Sequence, residues 1–193
     1  MFNNSSICQK CFNEFEVICK LESIEGVKTL FLYSYNDYLK KLIYQFKGCY
    51  DIELRNVFLE RYLLILKIIF YGYHIVCVPS SKIDNEKRKF NHVEEIASTL
   101  NLPILNCLEK ISDDKQSNKR KDQRDKIKNH IRIINQDVLK NKKILIIDDI
   151  FTTGNTLKTC IDLVRKGNPK RIKAFIICKN CRNSVNFLDR KYF

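Results

Sequence analysis

The sequence predicts an α/β protein with a mainly parallel sheet flanked by helices. Apolar segments of strand length alternate with segments of helical periodicity along most of the 193 residues, which is the pattern of repeated strand–helix–strand units. One segment, 144–147, has four consecutive apolar residues, as expected for a strand of a parallel sheet that is buried on both faces. Apolar residues make up 45% of the chain, which is enough for one core.

The individual elements follow from apolar spacing and from residues that start or stop helices. A strand rich in β-branched and aromatic residues is predicted at 27–35, and Asn36 or Asp37 caps a helix that ends near Phe46. The further predictions are a helix at 51–72, a strand at 74–78, a helix at 90–100, strands at 103–108, 131–134 and 144–147, a helix at 156–166 and a strand at 172–178.

Two loops of this arrangement should meet at the edge of the sheet. One begins at Pro79 and the other at Asp148, and each follows an apolar strand. Ligands of open parallel sheets bind beyond the carboxyl ends of the strands. We therefore expect these two loops to lie side by side at a binding site.

The second loop, residues 148–156, reads Asp-Asp-Ile-Phe-Thr-Thr-Gly-Asn-Thr. Two adjacent carboxylates, Asp148 and Asp149, can accept hydrogen bonds from the vicinal diol of a ribose. Small residues directly before a helix present backbone N–H groups to an anion. The predicted phosphate-binding residues are Thr152, Thr153, Gly154, Asn155 and Thr156. Together these features predict a ribose 5-phosphate site.

A simpler interpretation of the same loop is a solvated Asp-Asp turn, with Thr153 or Asn155 acting only as a helix cap. The combination of strand, acid pair, glycine turn and helix favours the ligand site. The chain has no Gly-x-x-x-x-Gly-Lys motif, which argues against a P-loop nucleoside triphosphatase.

The loop resembles the signature of type I phosphoribosyltransferases, and the chain from about Cys8 to Cys178 is similar to the ComF family of competence-associated proteins. The motifs that carry this resemblance are Tyr-Ser-Tyr at 33–35, Leu-Ile-Tyr-Gln-Phe-Lys-Gly at 42–48, Val-Pro at 78–79 and Arg-Lys-Phe-Asn-His at 88–92. Two residues depart from the family pattern, since Lys89 stands where Gly is usual and His92 where Gln is usual.

The resemblance implies a type I phosphoribosyltransferase fold with a mobile hood loop and a short Cys-bearing N-terminal head. The implied domains are a reduced zinc-ribbon-like head at 1–26 and a phosphoribosyltransferase-like domain at 27–193. The implied ligand is phosphoribosyl pyrophosphate, with its ribose hydroxyls on Asp148 and Asp149 and its 5-phosphate on 152–156. The pyrophosphate would face Ser80, Ser81 and Lys82. Mg²⁺ would be carried mainly by pyrophosphate and ribose oxygens, which are hard ligands.

The hood loop, residues 112–129, is implied to close over the ligand. Gln116, Arg124 and Asn129 fall where the family's hood carries these residue types, and Arg124 is the candidate catalytic residue. Between residues 115 and 132 the chain has eight Lys and Arg against two Asp, so the loop could neutralise a departing pyrophosphate. The alternative is a solvated charged loop. No dedicated general base is evident, and His92 and His130 are candidates only through proximity, against the alternative of a cap or surface residue.

The cysteines leave two interpretations open. Cys8, Cys11 and Cys19 supply three ligands of a zinc ribbon, and a structural zinc site normally needs four. The fourth could be Cys49, or Cys178 and Cys181 could return to the head. The alternative is a degenerate ribbon without Zn²⁺.

The cellular location of the protein is predicted from its first residues and from its nine Cys. Residues 1–10 lack the apolar stretch of an export signal, which favours a cytoplasmic location with free thiols. The apolar run at 62–78 is interrupted by Lys67, Gly72 and His74. It is therefore too short to span a bilayer, and stable membrane insertion is not expected.

Two classes of function fit the sequence. The first is a phosphoribosyltransferase with an unidentified acceptor. The alternative is a non-catalytic protein that handles single-stranded DNA during uptake and keeps the sugar-phosphate site as a sensor or vestige. The formal net charge of +13 suits a polyanion, and five aromatic residues would suit stacking on bases. The aromatics in question are Tyr33, Tyr35, Tyr38, Tyr44 and Phe46, and their alternative role is core packing.

Overall fold

A computed structural model describes residues 6–80, 89–111 and 131–180. Short 3₁₀ turns supplement the regular elements at Ile52–Asn56, Glu60–Tyr62 and Asp137–Leu139. The helices and strands, in chain order, are α1 (Gln9–Phe12), β1 (Val17–Ile24), β2 (Val27–Ser34), α2 (Asp37–Gly48), α3 (Leu63–Ile69), β3 (His74–Cys77), α4 (His92–Ser98), β4 (Leu108–Lys110), β5 (Ile131–Ile133), β6 (Lys143–Phe151), α5 (Asn155–Lys166) and β7 (Arg171–Lys179).

The main sheet has five strands in the order β1-β2-β7-β6-β3. Strands β2, β7, β6 and β3 are parallel, and only β1 runs antiparallel, joined to β2 by a tight hairpin. Strands β4 and β5 form a separate antiparallel pair. The predicted α/β class with a mainly parallel sheet is therefore confirmed.

Helices cover both faces of this sheet. One face packs against α2, α3 and α4 through their buried residues Leu39, Phe46, Leu66, Val93 and Ile96. The opposite face packs against α5 through Leu157, Cys160, Ile161 and Val164. Of the helices that the structure describes, α2 and α5 are the longest, with 12 residues each. Across the described ranges, no helix combines the length and apolar character that a bilayer crossing requires.

The predicted helix at 51–72 is wrong in its first half, where 3₁₀ turns replace it. Val57, Phe58 and Leu59 are consecutive and all buried. Successive residues of an α-helix are turned by about 100°, so three in a row do not share one face of the helix. The Phe58 carbonyl instead accepts a hydrogen bond from the buried Tyr33 hydroxyl at 2.9 Å. Tertiary packing thus overrides the helical pattern here.

Two strands also differ from the prediction. The strand expected at 103–108 is reduced to a bridge between Ile75 and Ile104, and regular pairing begins only at Leu108. Strand β1 was not predicted, because it lies at the sheet edge and most of its residues are exposed. The predicted boundary between a head at 1–26 and a domain at 27–193 stays a prediction, although β1 is hydrogen-bonded to β2 across it.

The two loops expected to meet begin side by side, as far as the structure describes the first of them, which is up to Ser80. Cys77 at the end of β3 pairs with Ile147 of β6, and the Val78 amide donates to the Ile147 carbonyl at 2.9 Å. Strand β6 then continues to Phe151 with β7 as its pairing partner. The acid pair at 148–149 therefore projects beyond the end of β3, next to Pro79 and Ser80.

Candidate functional site

The acid pair lies near the end of β6, where successive side chains point to opposite faces of the sheet. Asp149 points to the face covered by α2 and α4, where it contacts Lys47 and His92. Asp148 points to the face covered by α5. Burial raises the pKa of the Cys160 thiol on that helix, and the charge of Asp148 adds to the increase. The two carboxylates therefore have different surroundings despite their adjacency.

Asp149 is held by groups from three elements. Its carboxylate forms an ion pair with the Lys47 ammonium from the last turn of α2 and lies 3.4 Å from Nε2 of His92. Its Oδ1 accepts a hydrogen bond from the Ile150 amide at 2.8 Å. His92 is the first residue of α4, which is fixed in place because Asn91 caps the helix through the Val93 amide at 3.2 Å.

The pair titrates asymmetrically. Burial alone would raise the pKa of Asp149, but the hydrogen bond from His92 and the charge of Lys47 outweigh it and hold this pKa well below its ordinary value. Burial, followed by the negative charge of Asp149, raises the pKa of Asp148 well above its ordinary value. Asp149 therefore carries the stable negative charge, and Asp148 is the carboxylate that takes up a proton first.

A glycine turn joins β6 to α5. Gly154 has φ +78°, and a Cβ at this position would lie 2.7 Å from the Phe151 ring, which packs edge-on against Phe31 with centroids 5.1 Å apart. Gly154 precedes α5 without a side-chain cap. The N-terminus of a 12-residue helix thus faces the loop, and backbone N–H groups at such an end attract anions.

The loop before α5 also carries polar side chains that could contact an anion. Thr152, Thr153 and Asn155 are exposed, and Thr156 is half-buried. The Asn155 amide donates to Thr153 Oγ1 at 3.5 Å. The cap residue of α5 is Gly154 and no side chain caps it, so the cap interpretation of Thr153 and the phosphate-binding role of 152–156 both stay predictions.

Part of the predicted site falls outside the described residues. Ser80 is described and lies half-buried beside the acid pair. Ser81, Lys82 and the hood residues lie outside, as does His130. The pyrophosphate-facing and hood roles, including that of Arg124, therefore stay predictions.

Two cysteines of the Cys-bearing head are joined by a local hydrogen bond. Cys8 Sγ accepts a hydrogen bond from the Cys11 amide at 3.4 Å, which lowers the pKa of the Cys8 thiol. Cys49 is exposed on the surface and Cys178 is buried in the core. Among the residues that the structure describes, no three His, Cys, Asp or Glu side chains are grouped to hold a metal. Cys181 lies outside these residues, and Zn²⁺ stays a prediction.

A wide groove of about 1070 Å³ opens beside the acid pair along α2. Its lining includes Tyr35, Lys40, Lys41, Tyr44 and Ile150, and also Lys47. Tyr44 is 68% exposed. In contrast, Tyr33 and Phe46 are fully buried, so for those two aromatics core packing is confirmed.

Sequence reasoning missed the role of Lys47. A signal was present, because Lys47 shares the apolar face of α2 with Ile43 and Phe46 at helical spacing. A lysine on such a face is rarely buried without a partner. The partner itself, Asp149, lies about 100 residues later and could not be read from local pattern.

The family model described as phosphoribosyl transferase domain matches residues 90–192. Competence protein ComFC of Bacillus subtilis is 30% identical over 152 residues, which is 77% of this chain and 63% of that protein. Competence protein ComFC of Streptococcus pneumoniae is 31% identical over 175 residues, which is 91% of this chain and 76% of that protein.

A solved hypoxanthine-guanine phosphoribosyltransferase from Bacillus anthracis superposes on 67% of this chain and 79% of its own, at 14% identity and a TM-score of 0.43. The chain spans slightly less than two thirds of the B. subtilis relative and about three quarters of the S. pneumoniae relative. The chain therefore belongs to the ComF family of proteins and has the type I phosphoribosyltransferase fold.

Proposed function

We propose that this chain binds phosphoribosyl pyrophosphate, together with Mg²⁺, at the loop 148–156 and transfers its phosphoribosyl group to a nitrogen acceptor. The observation that carries the proposal is the combination of an acid pair, a glycine turn and a helix N-terminus whose cap residue is Gly154, all within nine residues, next to the segment that follows β3. A diol acceptor beside an anion cradle matches a ribose 5-phosphate.

The proposed reaction needs positioning and charge stabilisation. The acceptor nitrogen forms a bond to the anomeric carbon, the bond from that carbon to the pyrophosphate oxygen breaks, and the acceptor loses a proton. Holding the sugar phosphate at the end of β6 places the anomeric carbon for attack. Mg²⁺ prefers oxygen ligands and would accompany the leaving pyrophosphate. No bond between protein and sugar is required.

Calorimetric titration of phosphoribosyl pyrophosphate with Mg²⁺ tests this proposal. We expect binding in the micromolar range, or about −8 kcal/mol, and at least a hundredfold weaker binding for the double variant Asp148→Asn/Asp149→Asn. The reason is that loss of both charges removes charge-assisted hydrogen bonds to the diol, each of which contributes about 1.5–3 kcal/mol.

The matched control for this titration is Lys166→Met, which removes one exposed charge at the far end of α5. It should bind as the wild type does. Wild-type protein that is folded yet gives no heat at millimolar ligand would refute the proposed function.

The groove along α2 favours a second candidate function, the handling of single-stranded DNA without turnover. Tyr44 is largely exposed there, Tyr35 lies at the end of β2, and Lys40 and Lys41 line the same groove. Cations that follow a phosphate backbone and aromatic faces that stack on bases are the usual means of single-strand binding. The relatives named competence proteins are consistent with such a role.

For this candidate we expect fluorescence anisotropy of a labelled thymidine oligonucleotide to show affinity that falls steeply between 50 and 200 mM salt. Tyr44→Ala should weaken binding by about 1–3 kcal/mol, because one stacking contact is lost. Tyr71→Ala is the control, since Tyr71 is also exposed but precedes β3 at the opposite edge of the sheet. Equal losses for both variants, or none for Tyr44→Ala, would count against the groove.

A further inference from the structure

An apolar groove with a basic rim lies at the end of the sheet opposite the candidate ligand site. We propose that this groove, together with the exposed face of α3 beside it, binds an acidic amphipathic helix of a partner protein. The groove has a volume of about 670 Å³ and opens where β2 and β7 begin. Strands β2, β7 and β6 are parallel, so this end of the sheet is opposite to the acid pair near the end of β6. The inference does not depend on the proposed function.

The walls of this α3 groove are largely apolar. Ile69 and Phe70 line it at the end of α3, and Leu21 and Leu30 line it from β1 and β2. Leu21 pairs with Leu30 across the two strands, so both side chains point to the same face of the sheet. Leu21 is 62% exposed and Ile69 is 43% exposed. An apolar chain that fills the groove would remove these side chains from water, which is favourable.

The exposed face of α3 extends this apolar surface beyond the groove. Leu64 and Ile68 are 78% and 76% exposed, and Ile65 is 56% exposed. Because residues three and four apart are neighbours on a helix, these side chains form one continuous stripe with Ile69. Leu66 is the buried residue of this helix. Single apolar residues are common on protein surfaces, whereas a continuous apolar patch with a polar rim marks an interaction site.

The rim of the α3 groove is basic. Lys28, Arg171 and Lys173 line it, and none of the described lining residues is acidic. The Lys173 ammonium lies 5.1 Å from the centre of the Tyr73 ring. In the part of the chain that the structure describes, none of the three cations forms an ion pair. Carboxylates of a partner would therefore meet these cations without displacing an ion pair between described residues.

The charge of the groove argues against an occupant from this chain. A second copy would bring the same three cations and a net charge of +13 to the contact, which opposes association. The segments of the chain outside the described ranges offer no better match, because none of them has a net negative charge. The occupant is therefore expected to be an acidic segment of another protein.

The shape and the apolar walls argue against nucleic acid and lipid. Single-stranded nucleic acid binds through cations and exposed aromatic faces, whereas Phe70 is buried and the exposed side chains in this groove are aliphatic. A bilayer surface has no ridge that would fill a groove. An amphipathic helix supplies apolar side chains for the groove and the stripe, and acidic residues flanking its apolar face would reach the basic rim.

Fluorescence anisotropy on the full chain with a labelled acidic peptide tests this inference. The probe has about 18 residues, which is enough for a helix in isolation, with Leu along one face and Glu on both flanks of that face. The comparison peptide has Gln in place of each Glu. We expect the acidic peptide to bind about tenfold more tightly or better, because only its charges complement the rim. This difference should shrink between about 0.1 M and about 1 M salt, as the Debye length falls from about 10 Å to about 3 Å.

Two double variants test whether the peptide binds at the α3 groove. Lys28→Glu/Arg171→Glu reverses two exposed charges and should weaken the acidic peptide by about tenfold or more, because like charges then face each other. Leu64→Asp/Ile68→Asp interrupts the apolar stripe and should weaken both peptides by about tenfold or more. Both pairs of side chains are exposed, so the variants should fold.

The matched charge control is Lys140→Glu/Lys166→Glu, which reverses two exposed lysines on the side of the sheet that carries α5. It should bind the acidic peptide as the wild type does. All three double variants should bind phosphoribosyl pyrophosphate with wild-type affinity, so a failure here is separate from a failure of the proposed function.

Several outcomes would overturn the inference. These are failure of the acidic peptide to bind, equal affinity for the Glu and Gln peptides, and unchanged binding in Lys28→Glu/Arg171→Glu. A dimer in sedimentation that Leu64→Asp/Ile68→Asp dissociates would show that a second copy covers α3. Displacement of the peptide by a thymidine oligonucleotide or by phosphatidylglycerol vesicles would assign the groove to nucleic acid or to lipid.

Discussion

We expect Lys47→Met to lower the free energy of unfolding at pH 7 by about 3–5 kcal/mol, the cost of leaving a buried charge without its partner. The Asp149 side chain is 11% exposed and that of Lys47 is 24% exposed, so water can compensate only in part. Urea denaturation followed by circular dichroism would measure the loss. Lys166→Met, which removes an exposed lysine of α5, should stay within about 0.5 kcal/mol of the wild type.

The same variant should change how stability depends on pH. In the wild type the pKa of Asp149 is depressed, so its contribution to stability is present above the unfolded pKa of about 3.9 and is lost as the pH falls through the lower folded value. Without Lys47, only His92 opposes the effect of burial, so the pKa of Asp149 should rise. Relative to the wild type, the variant should then gain stability on acidification, because its Asp149 takes up a proton at a higher pH.

The two stabilities should therefore converge as the pH falls from 7 towards 4. The double variant Lys47→Met/Asp149→Leu removes both charges and should recover most of the loss at pH 7, since apolar replacement of a buried pair is often neutral or stabilising. A loss that is constant with pH, or that persists in the double variant, would mean that Lys47 stabilises the chain through its methylene groups and not through its charge.

The sequence predicted the parts of the fold that local patterns determine. The four apolar residues at 144–147 belong to the central part of the sheet, and Asn36 caps α2 as expected, accepting from the Leu39 amide at 2.9 Å. The glycine turn at Gly154 was also read correctly as the start of a helix. In each case a few adjacent residues carry the whole signal, so no distant partner had to be known.

The parts that were missed depend on distant partners. Val57, Phe58 and Leu59 are drawn into the core together, which breaks the helix that their spacing suggested. The two acids are adjacent in the sequence, and only the strand geometry shows that their side chains point to opposite faces of the sheet. What holds Asp149 in place comes from α2 and α4, which precede it by many residues. Local pattern therefore located the loop, whereas the contacts of Asp149 with α2 and α4 depend on the tertiary structure.

Replacement of Gly154 by Ala should affect the loop more than the rest of the fold. A residue with a Cβ at φ +78° loses about 1–2 kcal/mol, and the new Cβ would lie 2.7 Å from the Phe151 ring. Phe151 cannot move freely, because its ring packs against the buried Phe31. We expect the backbone of the turn to shift and to draw its N–H groups away from the position that an anion needs.

The ligand could then bind only if the turn returned to its strained conformation. The binding of phosphoribosyl pyrophosphate should therefore become weaker by about tenfold or more, since about 1.4 kcal/mol is a factor of ten in affinity. Gly26→Ala is the matched control. Gly26 has a similar φ of +73°, but its nearest contact to an added Cβ is the Arg165 side chain at 3.8 Å. It lies in the β1–β2 hairpin, so the variant should lose similar backbone stability and bind the ligand normally. If both variants bind equally well, the turn at Gly154 does not form the phosphate site.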